Sequence, residues 1–169
     1  MAAARRIQRR PSRTRPAKHP RYTVDASVFI NAFNPHEDGH AESLAILAAI
    51  QERGDPIIVP TLLLPEIASA VARASDDSAG ALQFAYATAA LPHLTAVALS
   101  TTMARQAAEL AAAHRLRGAD AVYVAVARRY GTTLVSRDEE QRSRGSAIVA
   151  CQTPEEALSN RRAPTRTRR

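Results

Sequence analysis

Four acidic residues stand out by where they fall along the chain. Asp25 lies inside "YTVDASVFI" (22–30), a run whose Val24, Val28, Phe29 and Ile30 are strand formers. Aspartate is depleted in strands, and a buried ionised carboxylate costs several kcal/mol unless something pairs with it. Asp138 closes "TTLVSRD" (132–138), a second apolar run. Glu66 follows "PIIVP" (56–60) within the first turns of a helix, and Asp120 follows Gly118 at the start of another. The positive end of a helix dipole favours a carboxylate at either place, so each alone is an ordinary helix-start residue. Ser27 and Ser136 stand two positions from Asp25 and Asp138. A strand period of two puts each on its aspartate's side, as a polar support. Converging carboxylates repel, and some take up protons unless a cation intervenes. Oxygen donors without a His or Cys cluster select Mg2+ or Mn2+ over zinc. Such a site suits phosphate esters: one ion activates water, while it or a second about 3.5–4 Å away stabilises the leaving oxygen.

The elements that must position these acids can be read in outline. Asp25 is expected near the end of the first strand, with Ser27 as the cap of the helix that follows. "NAFNPHEDGHAESLAILAAIQERGD" carries helical spacing through Ala41, Leu44, Ala45, Leu47 and Ala48 and stops at Arg53-Gly54. "PIIVP" suits a strand buried on both faces. Thr61 is placed to cap a helix over "LLLPEIASAVARA", with Pro65 tolerated near its first turn. Residues 76–92 read as a helix, "LTAVALS" (94–100) as a third strand, and "TTMARQAAELAAAHRL" as a helix ending near Gly118. "ADAVYVAVARRYG" is a helix closing on Gly131, a good residue just past a helix end. "TTLVSRD" gives a fourth strand, "AIVAC" (147–151) a fifth, and "TPEEALSN" a capped terminal turn. Strands alternating with helices predict a three-layer α/β/α sandwich around a mainly parallel sheet of four to five strands. In such sheets a site lies outside the carboxyl ends of the strands, where Asp25 and Asp138 fall.

The chain has 169 residues, enough for one domain with a proper core. Its net charge of +7 is unevenly spread. Residues 1–21 and 159–169 hold thirteen of the 23 Lys and Arg and none of the 16 acids, so the body between is acidic and its ends basic. These Pro/Arg/Thr tails cannot bury enough apolar surface to offset ordering, and are expected to be disordered. They serve either as nucleic-acid-binding arms that weaken with salt or as solvated ends without function. No apolar run approaches the 18 residues of a membrane span. With no apolar segment behind the N-terminal arginines, neither a secretory nor a twin-arginine signal is expected. The lone Cys151 excludes an internal disulfide framework and suits a cytoplasmic location.

"VDASVFI", "LLLPEIASAV", "LRGADAVYVAVARRYG" and "TLVSRDEE", in this order, resemble the PIN-domain nucleases, especially VapC-type toxins. The resemblance covers roughly residues 22–158 and leaves both tails outside. It implies a divalent-metal site lined by Asp25, Glu66, Asp120 and Asp138, with Ser27 and Ser136 as polar supports. It further implies a Mg2+- or Mn2+-dependent endoribonuclease leaving 5′-phosphate and 3′-hydroxyl ends, a cognate antitoxin that covers the site, and a homodimer. Glu139 and Glu140 follow Asp138 directly, so the fourth position is the least sharply marked. A housekeeping RNA-processing nuclease of the same fold, or a binding module working through its basic arms, stands as the alternative.

Other motifs carry less. "HEDGH" (36–40) matches the H-E-x-x-H zinc pattern, which needs both histidines on one helical face. Asn34-Pro35 and Asp38-Gly39 are turn signals that predict the helix to start after His36. Haloacid-dehalogenase phosphatases place an acid two residues after the nucleophile, where this chain has Ser27. Receiver domains want paired acids at the first strand end, and "VDAS" has one. His114 reads as a helix-end cation and Tyr123 as a packing residue. Arg73, Arg115, Arg117, Arg128 and Arg129 are either surface charge or contacts for a phosphate backbone.

Overall fold

A computed structural model describes residues 20–162. The elements run β1 (Tyr22–Val24), α1 (Ala26–Phe33), α2 (His40–Arg53), β2 (Ile57–Pro60), α3 (Leu63–Ser75), α4 (Ser78–Ala89), β3 (Leu94–Val97), α5 (Thr101–His114), α6 (Gly118–Tyr130), β4 (Thr133–Val135), α7 (Glu139–Gly145), β5 (Cys151–Gln152) and α8 (Pro154–Arg162). All five strands are parallel, in the order β3-β2-β1-β4-β5. The expected α/β/α architecture is therefore present.

Alternation along the strands divides the core between the two faces of the sheet. Val24, Ile57, Val59 and Val135 join α1, α2, α3, α4 and α8 in one apolar cluster. Ile58, Val97 and Leu134, the intervening residues, join α5 and α6 in the other. Within α6, every residue from Ala121 to Val126 and on to Ala127 is buried. A helix apolar all round must be covered all round. Fully burying each of its valines stabilises the fold by roughly 1.5–3 kcal/mol. α6 then turns through Gly131, whose φ of 60° suits glycine, directly into β4. It thus runs back against the strands, which brings its N-terminus and Asp120 to the strands' carboxyl edge.

The chain lays down β1, β2 and β3 outward in one direction, then returns to pair β4 on the other side of β1. The strand order reverses between β1 and β4, which makes their carboxyl ends the crevice where open α/β sheets bind ligands.

Several expected boundaries shift. β1 ends at Val24, and Asp25 itself caps α1, accepting the Ser27 N–H at 2.9 Å. Ser27 is thus a helical residue, neither the cap nor a strand neighbour of Asp25. Thr61 does not cap α3; Leu62 holds that position and makes no side-chain cap bond. The fifth strand is two residues, Cys151–Gln152, while 146–148 form a turn. "EEQRSRG" forms α7, an element absent from the sequence reading. α8 runs through Arg162, carrying helix into the stretch expected to be a tail. The rest of the basic ends, residues 1–19 and 163–169, lies outside the described residues. Among the described residues no helix is long and apolar enough to cross a membrane.

Candidate active site

Each of the four acids is fixed by the element that delivers it. Asp25 is 8% exposed; its Oδ2 is held by the Ser27 N–H as the α1 cap, and its backbone N–H donates to Val135 of β4 at 2.9 Å. Asp138 caps α7, its Oδ1 accepting the Gln141 N–H at 2.9 Å. Glu66 and Asp120 sit in the first turns of α3 and α6, as the sequence predicts.

The sequence reading passed over the side chains that tie these acids together. Gln141, fully buried, points its Nε2 at Asp25 Oδ1 (3.3 Å) and at Asp120 Oδ1 (3.5 Å). One amide from α7 thereby spans the first and third acids. Tyr123, read as a packing residue, is buried, but its hydroxyl donates to Glu66 Oε2 at 2.6 Å. Arg117, at the start of α6, reaches Asp138 Oδ2 at 3.1 Å and Glu140 Oε2 at 2.6 Å. A signal for α7 and Gln141 existed: Asp138-Glu139-Glu140-Gln141 spaces a cap residue from a Gln at the third helical position, as in a capping box.

Ser27 and Ser136 support the site through the backbone. The Ser27 hydroxyl accepts the Arg137 N–H at 3.1 Å, stitching α1 to the loop after β4. The Ser136 hydroxyl accepts the Asp138 N–H at 3.0 Å. Both shape the loop that presents Asp138.

Charge crowding is visible in the ionisation of these groups. Burial pushes the Asp25 carboxyl above its usual range, with the Asp138 charge adding to the rise and the Ser27 and Gln141 donors opposing it. Burial likewise raises Glu66, against the Tyr123 hydrogen bond, and the charges of Asp25 and Asp120 push the same way. Asp120 is pushed up to about 6 by burial, then by Asp138 and Asp25, with Arg117 pulling it down. Asp25 feels the charge of Asp138, Glu66 those of Asp25 and Asp120, and Asp120 those of Asp138 and Asp25, so the four lie near one another. Burial also raises Tyr123 well above the usual phenol range, which keeps its hydroxyl a donor to Glu66.

Other expected candidates fall away from this volume. His36 lies in a turn, whereas His40 opens α2 and sets its Nδ1 3.1 Å from the Asn31 carbonyl, so the zinc-type pair does not share a helical face. Arg73 donates to Ser69 on the exposed side of α3.

A PIN domain model matches residues 22–146. The chain belongs to the PIN-domain family. As a PIN domain it is similar in fold to Mycobacterium tuberculosis VapC20, a toxin that cleaves the sarcin–ricin loop, with a TM-score of 0.64 at 18% identity over 76% of this chain and 96% of that one. VapBC2 from Rickettsia felis, solved on a DNA fragment from its promoter, gives 0.60 at 15% over 79% and 98%. PAE2754 from Pyrobaculum aerophilum gives 0.62 at 19% over 83% and 88%. At these identities the likeness is one of fold. No curated protein matches the sequence.

The donor set of this PIN domain fits a hard divalent cation. Asp120 Oδ2 is buried without a hydrogen-bond partner among the described residues, as is the Gln141 Oε1 beside it. Two orphan acceptors amid like charges are what a cation would satisfy. Yet among the described residues no three acidic, His or Cys side chains close into a ready-made cage. The oxygens are there, but several are held by other partners.

Proposed function

We propose that this chain is a divalent-cation-dependent endoribonuclease acting as the toxin of a type II toxin–antitoxin pair. The observation that carries this reading is the meeting of Asp25, Glu66, Asp120 and Asp138 at the β1/β4 switch point of a PIN fold. Asp25, Glu66 and Asp120 all lie above the ordinary carboxylate range at a place where apolar residues would be more stable, a cost that supports a functional reading.

In this reading the four acids hold Mg2+ or Mn2+. When bound, the cation supplies charge stabilisation at phosphorus and a more acidic water. The chain's own groups do the rest. Ser27 N–H and Gln141 fix Asp25, Tyr123 fixes Glu66, and Asp120 keeps a buried, unpartnered Oδ2 that a cation would satisfy. Asp138 completes the ring from the α7 cap and orients that water. The fold of the VapBC and VapC20 relatives supports RNA as substrate and a small antitoxin as partner; a homodimer belongs to the same reading.

The test is cleavage of structured RNA in Mg2+ or Mn2+, with and without chelator, comparing wild type with Asp25→Asn and Asp120→Asn. Cation-dependent cleavage lost in both variants is expected; cleavage unchanged in both would sink the site. Growth arrest on induction, relieved by either substitution, separates a toxin from a housekeeping nuclease.

A further inference from the structure

Asp138 offers a cation less than it first suggests. Its Oδ1 is committed to the α7 cap through the Gln141 N–H at 2.9 Å. Its other oxygen, Oδ2, is bonded to Arg117 Nη1 at 3.1 Å. The other arm of the same guanidinium holds Glu140 Oε2 at 2.6 Å, and Glu140 is in turn paired with Arg144 at 2.6 Å. Among the described residues the acids do not close around a cation, and the fourth is engaged by a positive charge of the chain's own.

We propose that Arg117 is a built-in counter-ion that occupies the cation's place on Asp138, so that the Arg117–Asp138 pair and divalent-cation binding exclude each other. This rests on the metal-site reading above. The exchange is one for one: Arg117 leaves Oδ2, the cation takes it, and the helix cap on Oδ1 is undisturbed. The Arg117 side chain is 63% exposed, so its guanidinium returns to water without burying an unpaired charge. Glu140 keeps Arg144 as its partner when Arg117 departs. The inner acids are unlike this. Asp25 and Glu66 are held by neutral donors, Ser27 N–H, the Gln141 amide and the Tyr123 hydroxyl, which do not compete with a cation by charge.

Arg117 thus sets a threshold for loading the site. Its guanidinium lowers the repulsion among the acids in the metal-free chain, which helps the fold stand without a cation, and raises the cation concentration needed to fill it. The freed fork then stands at the mouth of the site, where a phosphodiester must enter, and its flat donor pair suits a phosphate.

Titration calorimetry with Mn2+ on the full chain tests this without reference to activity. Arg117→Gln is expected to bind Mn2+ roughly three- to fivefold more tightly than wild type, the range of an exposed ion pair, with Arg117→Lys between them. Arg144→Gln is the control: it removes the same charge nearby but pairs with Glu140 and not with Asp138, so it should tighten binding far less. A melting curve for each variant confirms that all are folded. If Arg117→Gln binds no more tightly than wild type, or Arg144→Gln tightens binding equally, the inference is overturned while the metal site stands. If wild type and Arg117→Gln both give no heat beyond Asp25→Asn, the metal site and the inference fall together.

Discussion

The inner and outer halves of the acidic site are built on different physics. Asp25, which is buried, and Glu66, which is half-buried, are gripped by neutral donors, and burial is the largest influence on their ionisation. Asp138 stands at the rim, with a side chain 30% exposed and an ion pair to an arginine that is largely in water. The inner pair is fixed by neutral hydrogen bonds and strained in charge; the outer acid is held by an ion pair to an exposed arginine. A site divided this way separates rigidity from access. The half that must be accurate is held by neutral donors, and the outer half by a charge.

Substitutions should expose that division. Asp25→Asn is the largest expected effect: cleavage in Mn2+ should fall at least about a hundredfold, the scale of losing a preorganised charge. Because Asn also caps helices, and a buried charge disappears, the metal-free melting temperature should not drop. A drop would mean that Asp25 serves the fold more than the site. Tyr123→Phe comes next. It strips the donor from a partly buried carboxylate, costing about 1–3 kcal/mol of stability and about tenfold in cation affinity measured by calorimetry.

Asp138→Asn should be milder than Asp25→Asn, because Asn preserves the α7 cap while surrendering one exchangeable oxygen. Equal losses in the two variants would erase the distinction between the halves. The smallest effect concerns pH. The Asp120 carboxyl lies above its ordinary value in the folded chain, at about 6. Folding is therefore favoured when Asp120 is protonated, and that contribution is lost as pH rises through about 6. The metal-free chain should unfold in urea at a higher midpoint near pH 5 than near pH 7.5, and Asp120→Asn should flatten the difference. A midpoint that rises with pH in wild type would contradict the crowding of charge at this end of α6.

Much of this was legible in the residues because the fold's signals are apolar and periodic. "PIIVP" and "VYVAVA" announce a buried strand and a buried helix, and four acids placed at strand ends or helix starts fall into register once the sheet is parallel. What escaped is carried by short or polar segments. α7 is seven residues with no apolar stripe, so no periodicity marks it, and Gln141 is conspicuous only once its helix is seen. Tyr123 has a hydrophobic body whose burial was expected, while the single atom that matters is its hydroxyl. Ser27 was assigned by strand alternation, but the strand ends three residues before it, and helical geometry turns its side chain to Arg137 instead. "AIVAC" has strand composition, yet β5 keeps only its last residue because pairing with Leu134 and Val135 begins there. Composition cannot set a register that depends on a neighbour.

The placing of β1 between β2 and β4 has a bearing on synthesis. The strand that delivers Asp25 is the first to emerge, yet the backbone partner that fixes it, Val135, belongs to the fourth strand. The amide that braces its carboxylate comes 116 residues later in the chain. Such distant closures form late, because the intervening loop must first be ordered. A growing polypeptide therefore carries its first acid long before it owns the partners that aim it, and the site matures only when α7 joins the sheet's edge. The arrangement of the acids arrives with nearly the last element made, and a truncated product would hold three of the four without the amide that spans Asp25 and Asp120.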